Sequence, residues 1–145
     1  MQFNRKTQSI VGIVAVVFVA VLLVLGISSP KISITNDQIK ISGELYSEKI
    51  KIEDVKEIKL LNQIPRILIR TNGFDLGEIK KGYFNLEYIG RAKLFLQSEQ
   101  APFILIEKNN EEKIFLNYND RNKTESWYQK LREWMDGNIN NNIDK

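Results

Sequence analysis

Residues 9–27, SIVGIVAVVFVAVLLVLGI, form a run of 19 residues without a charge. At 1.5 Å per helical residue such a run reaches about 29 Å, close to the ~30 Å hydrocarbon thickness of a bilayer. It predicts one transmembrane helix behind a basic N-terminal tail, residues 1–8, which carries Arg5 and Lys6. A cleaved signal peptide is the rival reading, since Gly26 and Ser28 place small residues near a cleavage site. The apolar core of a signal peptide ordinarily ends at about 7 to 15 residues, so the retained anchor is favoured. The span contains no GxxxG spacing that would signal helix pairing.

Ser28-Ser29-Pro30 breaks the helical pattern, and residues 28–31 read as a short linker. Beyond it the hydrophobic period becomes two. Ile32 and Ile34, Ile39 and Ile41, and Ile50 and Ile52 each place isoleucine on one face of a half-buried strand, with turn signals at Asn36-Asp37 and Ser42-Gly43. DVKEIKLL fits a helical turn or a strand, and we read residues 58–61 as strand. In PRILIRTNGFDLG the Asn72-Gly73 pair predicts a two-residue hairpin turn, because both central positions of that turn require positive φ. Three further alternating strands are expected at residues 92–97, 103–108 and 113–118. The total is about seven antiparallel strands, spaced as in a small barrel or sandwich.

The period switches once more in NKTESWYQKLREWM, where Trp127, Leu131 and Trp134 form the apolar stripe of an amphipathic helix. Asn122 or Thr124 is expected to cap it. The two tryptophans are read as sealing the end of the β-core rather than as a membrane or partner surface. One folded domain, residues 32–136, and a polar tail, residues 137–145, complete the organisation.

Composition narrows the chemistry. Removing Arg5 and Lys6 from the 21 basic side chains leaves 19 against 18 acidic ones, so the folded part is nearly neutral and its charges alternate in sign. This argues against a nucleic-acid partner. The chain has no cysteine and no histidine, which excludes disulfides, thiolate or imidazole metal sites, and nucleophile systems built on either residue. Glu53-Asp54, Glu111-Glu112 and Asp120 match neither a calcium loop nor a paired helical carboxylate site. No catalytic, cofactor-binding or metal-ligating residue is assigned, and no cofactor is expected.

ITNDQIKISGELYSEKIKIEDVKEIKLL (34–61), RTNGF (70–74), KKGYFNLEYIGRAKLFL (80–96), PFILIEKNNEEKIFLNYND (102–120) and the closing helix together resemble the small bacterial pleckstrin-homology-like (PH-like) membrane proteins. That resemblance implies a PH-like barrel or sandwich with a C-terminal capping helix, serving as a binding or assembly module. It does not imply phosphoinositide recognition, because the first hairpin loop, residues 35–38, contains an acid and no basic residue.

The one cationic candidate is Lys80, Lys81, Arg91 and Lys93, which flank Gly82 and Gly90 and could face an anionic ligand or headgroup. The favoured reading makes them solvated charges on outward strand faces. Tyr83, Phe84 and Tyr88 could stack a ligand, but Phe84, Leu86 and Tyr88 alternate and are expected to share a buried face. The functional expectation is a single-pass membrane protein with a non-enzymatic protein-binding or scaffolding domain of unknown partner and oligomeric state. Anionic-lipid or small-ligand binding is the alternative, and an enzyme using carboxylates is less favoured. The basic flanks tie at Arg5 and Lys6 against Lys31 and Lys40, and the short N-terminal tail favours a cytoplasmic N-terminus with the domain outside.

Overall fold

The computed structural model describes residues 5–43 and 45–143. The side chains of Arg5 and Lys6, counted above as the basic flank, lie outside the described part, as do residues 144 and 145 of the expected tail. The apolar run is helix α1 (Arg5–Ile27), and within it Thr7–Val24 is long and apolar enough to cross a membrane, with mean hydropathy 2.6 and no part of it buried by the rest of the chain.

Two sheets follow. β1 (Lys31–Ile34), β2 (Gln38–Ser42) and β3 (Ser47–Lys51) form an antiparallel meander. Its isoleucines are in register across the strands, Ile32 opposite Ile41 and Ile39 opposite Ile50. After a single 3-10 turn, β4 (Val55–Leu61), β5 (Ile67–Leu76), β6 (Ile79–Leu86), β7 (Gly90–Leu96), β8 (Phe103–Lys108) and β9 (Lys113–Leu116) build a second sheet in the order β4-β8-β9-β7-β6-β5.

Among the described residues the strands number nine rather than about seven, and one pair, β7 with β9, is parallel. β4 and β5 are the two outer strands and do not pair with each other, so the sheet is open rather than a closed barrel. Inserting β9 between β7 and β8 is what forces the parallel pair. The β7–β8 connection must then cross the end of β9.

Ile39, Ile41 and Ile50 pack against Ile58, Phe95, Ile104, Ile106, Ile114 and Leu116 of the large sheet, and helix α2 (Arg121–Ile143) closes this core with Leu131, Trp134 and Met135. The expected sealing role of Trp134 is therefore observed, and Trp127 packs at the core's margin. Phe84, Leu86, Ala92, Leu94, Leu96, Phe103, Leu105 and Phe115 form a second core on the opposite face of the sheet, with Leu61, Ile64 and Ile67 packed against them. β7, β8 and β9 are thus buried on both faces, which is why they carry near-continuous apolar runs rather than clean alternation.

Three local expectations are corrected. Asn72 and Gly73 lie inside β5, opposite Tyr83 and Gly82, and the hairpin turns at Gly77-Glu78, with Gly77 at φ +58°. Gly73 meets a different demand: a Cβ there would stand 2.3 Å from the Lys81 carbonyl oxygen. Tyr88 leaves the Phe84–Leu86 face, being 94% exposed at φ +66° in the turn after β6. Helix α2 is capped by Asp120, whose Oδ1 accepts from the amides of Asn122 (2.8 Å) and Lys123 (3.3 Å). Buried Thr124 instead accepts from the Tyr118 amide, and α2 runs on past Gly137.

Candidate functional site

β6 and β7 carry the four cationic candidates, and the structure separates them. Antiparallel pairing puts Lys81, Tyr83, Arg91 and Lys93 on one face of the sheet, while Lys80 points to the other. Three of the four are buried, contrary to the solvated reading: Lys80 at 8%, Lys81 at 2% and Lys93 at 8% exposure. Each buried ammonium has found specific oxygens, as a charge held away from water requires. Lys80 donates to the Gly77 carbonyl (2.6 Å) and Glu99 (3.0 Å), with Asp75 at 3.3 Å. Burial opposes its charge, but Glu99 and Asp75 outweigh that and hold Lys80 above the ordinary lysine range. Lys93 donates to the Ser47 carbonyl (2.5 Å) and Glu48 (2.9 Å), tying the small sheet to the large one.

Lys81 donates to the Ser28 carbonyl, directly after α1. It belongs to a clamp on the expected linker. Ser29 Oγ donates to Gln97 (3.1 Å), and the Tyr118 hydroxyl donates to the Pro30 carbonyl (2.9 Å). Residues 28–30 are thereby fixed to β6 and to the segments just past β7 and β9.

Burial pushes the Tyr118 hydroxyl up to about 12. Because that lies above the ~10 of an exposed tyrosine, the folded chain keeps a proton that the unfolded chain gives up between pH ~10 and ~12. The stabilisation is therefore complete below pH ~10 and is lost as the pH rises through ~12. In detergent, wild type is expected to be ~1 kcal/mol more stable than Tyr118→Phe at neutral pH. That difference should fall by ~2 kcal/mol on going to pH ~12, which makes Tyr118→Phe the more stable of the two there. A difference that stays constant over this range contradicts the assignment.

Arg91 and Lys93 line a basin of about 350 Å3 together with Tyr83, Lys108, Lys113, Glu48 and Glu112. The Arg91 guanidinium lies 4.1 Å from the Tyr83 ring centre. Lys108 bonds Glu112 and Glu48; burial works against its charge, but these two carboxylates raise it above the ordinary lysine range. The residues that sequence reasoning missed here, Lys108, Lys113 and Glu48, join Arg91 only through long-range pairing. No local pattern announces them. Along β7, Arg91 and Lys93 lie six and four residues from clamped Gln97, and Lys93 lies two residues from Phe95, the partner of clamped Lys81.

A second concavity, about 540 Å3, runs beside the outer strand β5 and is lined by Ile64, Ile67, Leu68, Ile69, Arg70, Lys80 and Phe103 among others. Irregularities at Leu68 and Thr71 break the alternation of β5. They leave Leu68 54% and Ile69 60% exposed in succession. Arg66 and Arg70 flank them, exposed and without an ion pair among the described residues. The other outer strand, β4, is guarded differently: Lys56 and Lys59 are paired with Glu107 and Glu57, and α2 packs beside it.

The carboxylates singled out in the sequence do not come together. Glu53 pairs with Lys51, Glu112 with Lys108, and Asp120 caps α2. No group of three metal-capable side chains occurs among the described residues.

Fold and surface thus define a two-sheet β-domain with a C-terminal helix, which holds the residues that follow an apolar N-terminal helix and presents the free outer edge of β5. Comparison with models of known families, with curated proteins and with solved structures found no match.

Proposed function

We propose that the chain is a single-pass membrane protein with a cytoplasmic N-terminus, and that its PH-like β-domain is a non-enzymatic protein-binding module at the bilayer. The observation that carries this reading is the β5 edge, where Leu68 and Ile69 are exposed in succession between two unpaired arginines. An unpaired strand edge offers its backbone groups to a partner strand, and adjacent apolar positions and the cleft supply side-chain specificity. The partner is an extended protein segment with apolar residues and at least one acid to meet Arg66 or Arg70. Clamping the domain at residues 28–30 holds that edge near the membrane, which raises its effective concentration for membrane neighbours.

Anionic-ligand binding in the Arg91 and Lys93 basin is the second reading, favoured by the Arg91–Tyr83 stack.

A photo-crosslinking residue at Leu68 of the full-length protein, activated in native membranes, is expected to give a discrete protein adduct. The adduct should be lost in Arg66→Glu/Arg70→Glu and absent when the crosslinker replaces Lys49 on the small sheet. Equal adducts from both positions, no adduct from Leu68, or an adduct indifferent to the arginine changes would each defeat the proposal.

A further inference from the structure

We propose that the cleft between the residues following α1 and the first turns of α2 is a binding site for the anionic headgroup of a phospholipid in the bilayer that α1 spans. The inference rests on the membrane reading of α1. The cleft, about 490 Å3, is lined by Ser28, Ser29, Pro30, Lys31, Ile32, Tyr118, Lys123 and Trp127. Its first wall is the chain that leaves α1, so it lies within a residue or two of the helix end.

Charge distinguishes it from the other concavities. The clefts at β5, at Glu48 and at Glu133 all contain carboxylates, whereas this one contains two lysines and no acid. Both lysines are exposed, and neither has a carboxylate partner among the described residues. Lys123 lies 4.2 Å from the Tyr118 ring centre, so it is placed by an aromatic face without being neutralised. Lys130, two turns further along α2, lies over Trp127 in the same way at 4.8 Å. Trp127 is half-buried, with its ring lining the cleft. An amphipathic indole beside unpaired ammonium groups suits the headgroup level of a bilayer, where one side is apolar and the other wet.

The clamp makes the site a built one. Tyr118 donates to Pro30, Ser29 to Gln97 and Lys81 to Ser28, so the wall carrying Lys31 is held against the wall carrying Lys123 before any lipid arrives. A headgroup phosphate would bridge the two lysines while its acyl chains descend beside the end of α1. The sequence count of flanking charges includes Lys31 but not Lys123, which folding brings to the same place from the other end of the chain.

The test uses the full-length protein reconstituted into phosphatidylcholine vesicles, with and without phosphatidylglycerol. Quenching by headgroup-spin-labelled lipid is read as the difference between the chain and its Trp127→Phe variant. Trp127 is expected to be quenched more strongly by labelled phosphatidylglycerol than by labelled phosphatidylcholine. Lys31→Gln and Lys123→Gln should each weaken the phosphatidylglycerol response about fivefold, as expected for one lysine near an anionic surface. Lys49→Gln, on the small sheet, should leave it unchanged. Equal quenching by the two lipids, or an equal loss in Lys49→Gln, overturns the headgroup site. Flotation under alkaline extraction separates that failure from failure of the membrane reading: a chain that floats with both vesicle types but shows no preference removes only the site, and one that floats with neither removes both.

Discussion

Replacing Asn117 by alanine is expected to destabilise the domain by about 4 kcal/mol. Asn117 follows β9 and is fully buried. Its Oδ1 accepts from the amides of Gln97 (3.0 Å) and Ser98 (3.3 Å), and its Nδ2 donates to the carbonyls of Ser98 (2.9 Å) and Gln100 (3.0 Å). These are backbone groups of the β7–β8 connection as it crosses the end of β9, where no strand neighbour can satisfy them. The amide side chain replaces the missing ladder. Truncation strands two donors and two acceptors, each costing ~1–3 kcal/mol before relaxation or water entry reduces the sum. Asn117→Asp should rescue little, because it keeps the acceptor but turns a carboxylate oxygen toward two carbonyls. The measurement is the urea midpoint of the full-length chain in detergent, with an unchanged denaturant slope. A loss below ~1 kcal/mol would mean that the crossover is held by other contacts.

Gly82→Ala is the second large effect, also about 4 kcal/mol, from a different cause. Gly82 sits at φ +110°, and a Cβ there would lie 2.5 Å from the Asn72 carbonyl oxygen and 2.6 Å from the Gly73 Cα. Both atoms belong to the backbone of the neighbouring strand, so nothing can swing aside. Gly90→Ala is the matched control. Its φ of +72° is also positive, but no atom lies within 4 Å of the added Cβ, so only the conformational cost of ~1 kcal/mol should appear. Similar losses at the two positions would show that conformation, not strand contact, sets the requirement at Gly82.

These two positions mark where reading the sequence stops. The apolar helix, the isoleucine strands of the small sheet and the tryptophan stripe of α2 are legible because each is a periodic signal over consecutive residues. The insertion of β9 beside β7 is not, since it depends on pairing across the connection that Asn117 holds. Asn72-Gly73 has the composition of a hairpin turn, yet its glycine is needed for contact with Gly82, and Gly77 supplies the turn. Alternation carried Tyr88 onto a buried face because periodicity cannot register a reversal of the chain.

The cationic cluster failed for a related reason. Lys81 and Lys93 read as solvated charges, but their partners Ser28 and Ser47 are 53 and 46 residues away in the chain. Likewise, the exposure of Leu68 and Ile69 follows from irregular pairing with β6, which composition does not encode. Arg91 and Lys93 do share a basin, but with Lys108 and Lys113 rather than with Lys80 and Lys81.

The fastening of residues 28–30 also bears on how the two parts of the chain move. A free linker would let α1 turn about its own axis while the domain stayed still. Here Ser28, Ser29 and Pro30 are tied to β6 and to the segments ending β7 and β9. A twist of the helix would therefore arrive as torque on the large sheet, and the height and heading of the β5 edge would change with it.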